Sequence, residues 1–71
     1  MSYQEFCDAV IDIIAKYGEG LSGIPVYDKD EGMYAMYISN GDVITGNSSS
    51  LKLTYKWASG HQAQFCLSDV A

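Results

Sequence analysis

The apolar residues of this chain change their period once, and that change sets what the chain can fold into. Within "SYQEFCDAVIDIIAKYG", Ser2 to Gly18, the residues Phe6, Val10, Ile13, Ile14 and Tyr17 recur at the spacing that lines one face of an α-helix. From "GIPVYD" onward the period is two, as along half-buried β-strands. A single helix followed by strands buries its stripe by lying across one face of their sheet. The expected fold is a two-layer α+β domain spanning residues 1–71. In it an N-terminal amphipathic helix packs on an antiparallel meander of four to five short strands.

Local signals agree with that pattern. Ser2 and Glu5 have the spacing of a capping box, in which hydroxyl and carboxylate each satisfy an orphan backbone N–H. Gly18 is placed for a left-handed C-terminal cap. Glu5, Asp8 and Asp12 lie opposite the apolar stripe and give the helix an acidic outer face, and Asp12 precedes Lys16 by one turn. Pro25 lacks an N–H, which places "GIPVYD" at a sheet edge or at a strand's start. "KDEG" turns the chain into "MYAMYIS", and Asn40-Gly41 reads as a two-residue type I′ turn into "DVITG". That turn pairs Ile38 with Val43 and Tyr37 with Ile44. "GNSSS" reads as a loop.

"LKLTYKW" and "HQAQFCL" form the last hairpin, and side-chain alternation fixes its register. A two-residue turn at Ser59-Gly60 would set the aromatic side chains of one strand on the face opposite Phe65. A three-residue loop, Ala58 to Gly60, instead pairs Trp57 with His61, Tyr55 with Ala63, Leu53 with Phe65 and Leu51 with Leu67. It also puts Gly60 where such loops need a left-handed residue.

That register bears on chemistry. The segment holds the sole His and one of two Cys, but Cys66 falls on the opposite face from His61, and a nucleophile–base pair needs hydrogen-bond reach. His61 is expected as a partly buried neighbour of Trp57, and Cys66 as a small semi-buried apolar residue. Nothing in the sequence brings Cys7 to either. "DKDEG" lacks the ligand spacing of a calcium loop, and "GEGLSG" lacks the glycine spacing of a phosphate cradle. Lys52 and Lys56 keep a sheet face soluble or blunt an edge. The expectation is a protein that is not an enzyme, with no catalytic residue, no metal and no cofactor.

Charge narrows the partners. The net charge is −5, and residues 1–31 carry all of it, with seven acids against two lysines. With no Arg and four Lys, the chain is poorly suited to direct nucleic-acid contact or to an anionic membrane, and well suited to a larger protein with a basic surface. No apolar run reaches the length of a transmembrane helix, and "MSYQEFCDAV" has no basic start of a secretory signal. Two Cys in such a chain are expected as reduced thiols in a cytoplasm.

One surplus stands out. "MYAMYI" is apolar on both faces, with Tyr34, Met36 and Ile38 on one and Met33, Ala35 and Tyr37 on the other. One helix covers one face. Tyr and Met are enriched at protein interfaces, so Tyr34, Met36 and Tyr37 join Asp8, Asp12, Asp30 and Glu31 as candidate partner-binding residues.

In size, acidity, one helix with a short meander and no active-site signature, the chain resembles small acidic phage-encoded inhibitors of the anti-CRISPR type. The resemblance implies a stoichiometric inhibitor in a bacterial host cell that occludes the nucleic-acid site of a nucleoprotein effector. Asp8, Asp12, Asp30 and Glu31 would then stand in for phosphates. The alternative is a small structural or assembly protein of a phage or mobile element that forms homodimers or larger oligomers through its Tyr- and Met-bearing sheet face.

Overall fold

Ser2 opens the first helix as its spacing to Glu5 implies. Its hydroxyl accepts the Glu5 N–H at 3.1 Å, and Glu5 Oε1 accepts the Ser2 N–H at 2.8 Å. In the computed structural model, which describes residues 1–17 and 22–70, helix α1 runs Tyr3–Tyr17. Phe6, Val10 and Ile13 of the expected stripe are fully buried, joined by Ala9, and Ile14 is half-buried. The Tyr17 side chain and the Gly18 cap lie outside the described residues, as does most of "GEGLSG".

Among the described residues five strands follow: β1 (Gly23–Asp28), β2 (Met33–Ile38), β3 (Val43–Asn47), β4 (Lys52–Lys56) and β5 (Gln62–Cys66), and then a turn of helix, α2 (Leu67–Val70). They form one antiparallel sheet in the order β1-β2-β3-β4-β5, so every strand pairs with its sequence neighbours. This is the expected α+β meander with α1 across one face. Pro25 lies in an edge strand, as its missing N–H requires.

The inner face of the sheet holds Tyr34, Met36 and Ile38 of β2, Ile44 and Gly46 of β3, and Leu53 and Tyr55 of β4. Together with Met1, Phe6, Ala9, Val10 and Ile13 these apolar side chains form the core. Burying each large one contributes about 1.5–3 kcal/mol. Gly46 sits where α1 comes closest: a Cβ there would lie 3.1 Å from the Phe6 ring. Gly46 and Asn47 thus belong to β3 rather than to the loop read from "GNSSS", which narrows to the residues after Asn47.

The β4–β5 register is the expected one. Leu53 pairs with Phe65 and Tyr55 with Ala63, the Trp57 N–H donates to the His61 carbonyl at 2.9 Å, and Gly60 has φ +100°. The β2–β3 register differs by one residue from the type I′ reading. Met36 pairs with Ile44 and Tyr37 with Val43. The loop is Ser39-Asn40-Gly41, with Gly41 alone left-handed at φ +94° and the Gly41 N–H donating to the Ile38 carbonyl at 3.0 Å. The shift has a packing cause: it puts Ile44 on the inner face opposite Met36, where α1 covers both.

Two features hold the ends of the molecule. The Met1 ammonium donates to the Ser50 carbonyl at 2.7 Å, and the Tyr34 hydroxyl donates to the Met1 carbonyl at 3.1 Å. At the opposite ends of β2 and β4, Asp42 is a buried carboxylate, 4% exposed, joining the two three-residue loops. Its Oδ2 accepts the Tyr55 hydroxyl at 2.6 Å and Asn40 Nδ2 at 2.9 Å, and its Oδ1 accepts the Ala58 N–H at 2.8 Å.

Candidate functional site

Alternation along β1 and β2 leaves a second apolar surface on the side of the sheet away from α1. Ile24 pairs with Tyr37, Val26 with Ala35 and Asp28 with Met33 across the two strands. Ile24 is 69% exposed and Tyr37 54%, with Val26 and Met33 also open to solvent. These four side chains are contiguous on the pleated surface. Farther along the same face the composition turns polar, through Thr45, Lys52, Thr54 and Lys56 to Gln62 and Gln64. Since β4 is interior to the sheet, its two lysines keep this face solvated and do not guard an edge.

The residues expected to bind a partner divide among four places. Tyr37 belongs to the outer surface. Tyr34 and Met36 do not: they are 3% and 9% exposed, in the core beneath α1. Period-two alternation required one of the two apolar faces of β2 to be covered, and α1 covers theirs. Tyr34 packs its ring 5.4 Å from Phe6 and 5.1 Å from Tyr27, and burial pushes its hydroxyl pKa up, with the neighbouring Tyr27 and Glu5 adding to the shift.

Asp8 and Asp12 are exposed on α1, where with Glu5, Ala9 and Leu67 they line a shallow cleft between α1 and the start of α2. Asp8 Oδ1 accepts Gln4 Nε2 at 2.9 Å. Glu5 is committed to the helix cap, and the Ser2 N–H and hydroxyl hold its carboxyl below the usual range. Asp30 and Glu31 project from the β1–β2 turn, whose shape Asp28 fixes by accepting both their N–H groups at 3.1 and 3.3 Å. They do not line the α1 cleft.

The reactive side chains are separated as the hairpin register implied. Cys66 pairs with Lys52 on the outer face, whereas His61 flanks Trp57 at the far end of β5. His61 is exposed rather than partly buried: Trp57 stacks on Tyr55, ring centroids 4.3 Å apart, leaving the imidazole at the rim of a second shallow depression with Ser59 and Ala63. Cys7 and Cys66 are both unbridged and half-buried, the first on α1 and the second across the sheet from it. Among the described residues, no three His, Cys, Asp or Glu side chains are grouped to hold a metal ion, and no helix is long and apolar enough to cross a membrane.

Ile24, Val26 and Asp42 were missed by sequence reasoning. The first two were legible in principle, because alternation through "GIPVYD" puts them beside Tyr37 and Ala35 once β1 pairs with β2. No family model matches the chain, and no curated protein or solved structure matches it either.

Proposed function

We propose that this chain is a protein-binding module without a catalytic centre, acting as a stoichiometric inhibitor of a nucleoprotein effector by covering a basic, nucleic-acid-binding surface. The observation that carries the binding reading is the uncovered outer face of β1 and β2. Ile24, Val26, Met33 and Tyr37 form one apolar patch on a single sheet face, while the other exposed large apolar residues, Tyr3, Ile11, Tyr27 and Leu51, lie outside it. Such patches mark interaction sites, and Tyr is a frequent anchor in them. Acidity supports the choice of partner: exposed Asp8, Asp12, Asp30 and Glu31 favour encounter with a cationic surface.

The test is capture by the immobilised protein from a bacterial lysate, followed by competition with DNA and RNA. A retained nucleic-acid-binding protein that associates one to one, and that nucleic acid displaces, is the expected result. Tyr37→Lys should abolish capture, and charge reversal at Asp8 and Asp12 should weaken it and flatten its salt dependence. Capture insensitive to nucleic acid would overturn the inhibitor reading.

The same patch supports one other reading, a structural protein that assembles with itself. Light scattering of the isolated protein separates the two. A concentration-dependent dimer lost in Tyr37→Lys would favour self-assembly.

A further inference from the structure

The two edges of the sheet are not alike. In β1, the Ser39 N–H bond to the Ser22 carbonyl sets the ladder phase, so Ile24 and Val26 bond to β2 while Gly23, Pro25 and Tyr27 point their backbone groups outward. Pro25 removes the central donor from that row, a recognised way of blunting an edge. In β5, bonds from Trp57 to His61 and from Leu67 to Leu51 bracket the ladder. Ala63 and Phe65 therefore bond to β4, and Gln62 and Gln64 direct both N–H and C=O away from it. The sequence "QAQFC" contains no Pro, no Lys and no charge. Among the described residues no strand lies beyond it.

The inner flank of this open edge has a charge and a shape. At one end is the depression beside Trp57, His61 and Ala63, and at the other the cleft floored by Ala9 and Leu67 and walled by Glu5, Asp8 and Asp12. A strand added to β5 would alternate its side chains between this flank and the outer face, where Lys52 and Lys56 lie on the adjacent strand. Basic side chains are thus drawn to the inner side and repelled from the outer one. Their aliphatic stems can rest on Ala9 and Leu67 with the charged heads at the carboxylates. A second copy of this chain fits poorly, since edge-to-edge pairing would bring two Glu5–Asp8–Asp12 stripes to the same side of the seam.

We propose that the open edge of β5 docks an extended segment of a larger protein, which adds as a sixth, antiparallel strand with Lys or Arg at alternate positions facing the cleft between α1 and Leu67. This rests on reading the chain as a binding module for a basic partner, and it assigns that partner a recognition element: main-chain hydrogen bonds for affinity, alternate basic side chains for choice.

The probe is the capped heptapeptide Val-Lys-Val-Lys-Val-Lys-Val, titrated into isotopically labelled protein and followed by NMR. The expected result is a set of shifts, and slowed amide exchange, at Gln62, Gln64 and Cys66. With Lys facing inward in an antiparallel strand, the Val N–H groups bond to β5. N-methylation of the valines should therefore weaken binding by about tenfold or more, roughly one to two hydrogen bonds' worth, while N-methylation of the lysines leaves it intact. A Glu-for-Lys peptide should not bind. Gln64→Pro removes an outward-pointing donor and should weaken binding as the valine methylation does; the methylated peptides test the same point on the unaltered protein. Equal binding by both methylated peptides, or shifts centred on Ile24, Val26 and Tyr37, would overturn the proposal. The β5 amides report on the edge and those of Ile24, Val26 and Tyr37 on the outer face, so this inference and the outer-face reading fail separately.

Discussion

The Tyr55 hydroxyl donates a 2.6 Å hydrogen bond to Asp42 Oδ2, while Asp42 Oδ1 accepts the Ala58 N–H at 2.8 Å. A buried carboxylate just before β3 thus joins β4 to the hairpin loop that begins at Ala58. Removing the hydroxyl leaves the carboxylate with one charged hydrogen bond fewer and little access to water in compensation. Tyr55→Phe should cost about 1.5–3 kcal/mol. In a domain of this size, a loss of 1 kcal/mol lowers Tm by about 4–8 °C. Urea and thermal unfolding of the variant would check it, and a Tm within 2 °C of the parent, by rough allowance, would contradict the role given to this bond.

The same pair makes stability depend on pH at both extremes. The Tyr55 hydrogen bond, aided by the Ala58 N–H and Asn40, outweighs desolvation and holds the Asp42 carboxyl below its usual range. Its contribution is therefore complete above the ordinary carboxylate range near pH 4 and is lost as pH falls through the lower folded-state value. Tyr55 has the opposite sense: burial first, then Asp42, pushes its pKa up to about 12. Its contribution is complete below the unfolded value near 10 and is lost as pH rises from there through about 12. Unfolding free energy measured against pH should fall on both sides. Tyr55→Phe should flatten much of the alkaline limb, and Asp42→Asn the acid one.

Two glycines separate backbone strain from packing. Nothing lies within 4 Å of a Cβ added at Gly60, whose φ is +100°. Gly60→Ala should therefore register the left-handed backbone cost alone, about 1–2 kcal/mol. Gly46 has no positive φ, but its added Cβ would press on Phe6 at 3.1 Å. Gly46→Ala should cost about 1–3 kcal/mol as overpacking. Replacing Phe6 with Leu in that background should recover part of the loss, whereas the same replacement should do nothing for Gly60→Ala. Chemical denaturation of the four variants would decide.

Ser2→Ala removes the hydroxyl of the N-terminal cap and should lower stability by about 1 kcal/mol. The Ser2 N–H, the larger of the two Ser2 contributions to the lowered Glu5 carboxyl, survives the substitution, so the Glu5 pKa followed by NMR should rise only by the hydroxyl's smaller share. A stability unchanged by the substitution would count against the Ser2 hydroxyl's half of the cap.

The helix, the antiparallel meander and the last hairpin were legible because each rests on a local repeat with one self-consistent solution, whereas the strand number was expected only as four to five. Leu53, Tyr55 and Phe65 can share a face only if the loop is three residues long, and the structure has that loop. The β2–β3 hairpin was misread because Asn40-Gly41 suits two loops equally. The choice depended on which residue of β3 would meet α1, and Ile44 is selected by tertiary packing that no dipeptide encodes. Tyr34 and Met36 illustrate the same gap: alternation separated the two faces of β2 but did not say which one the helix would take. Asp42 was invisible for a related reason. Two of its donors come from 13 and 16 residues away, so in sequence it looks like any acid beside a turn.

The unbroken strand order has a consequence for how the chain is made. Each strand finds its partner in the segment emerging just before it, so hairpins can close one after another during synthesis, with little loop entropy to overcome. Helix α1 is in the reverse position. It leaves the ribosome ahead of every strand, and Leu53 and Tyr55, which complete its core, emerge only after β1, β2 and β3. Until then the growing polypeptide carries an incompletely covered apolar stripe, and that interval is when it is most exposed to chaperones and to aggregation.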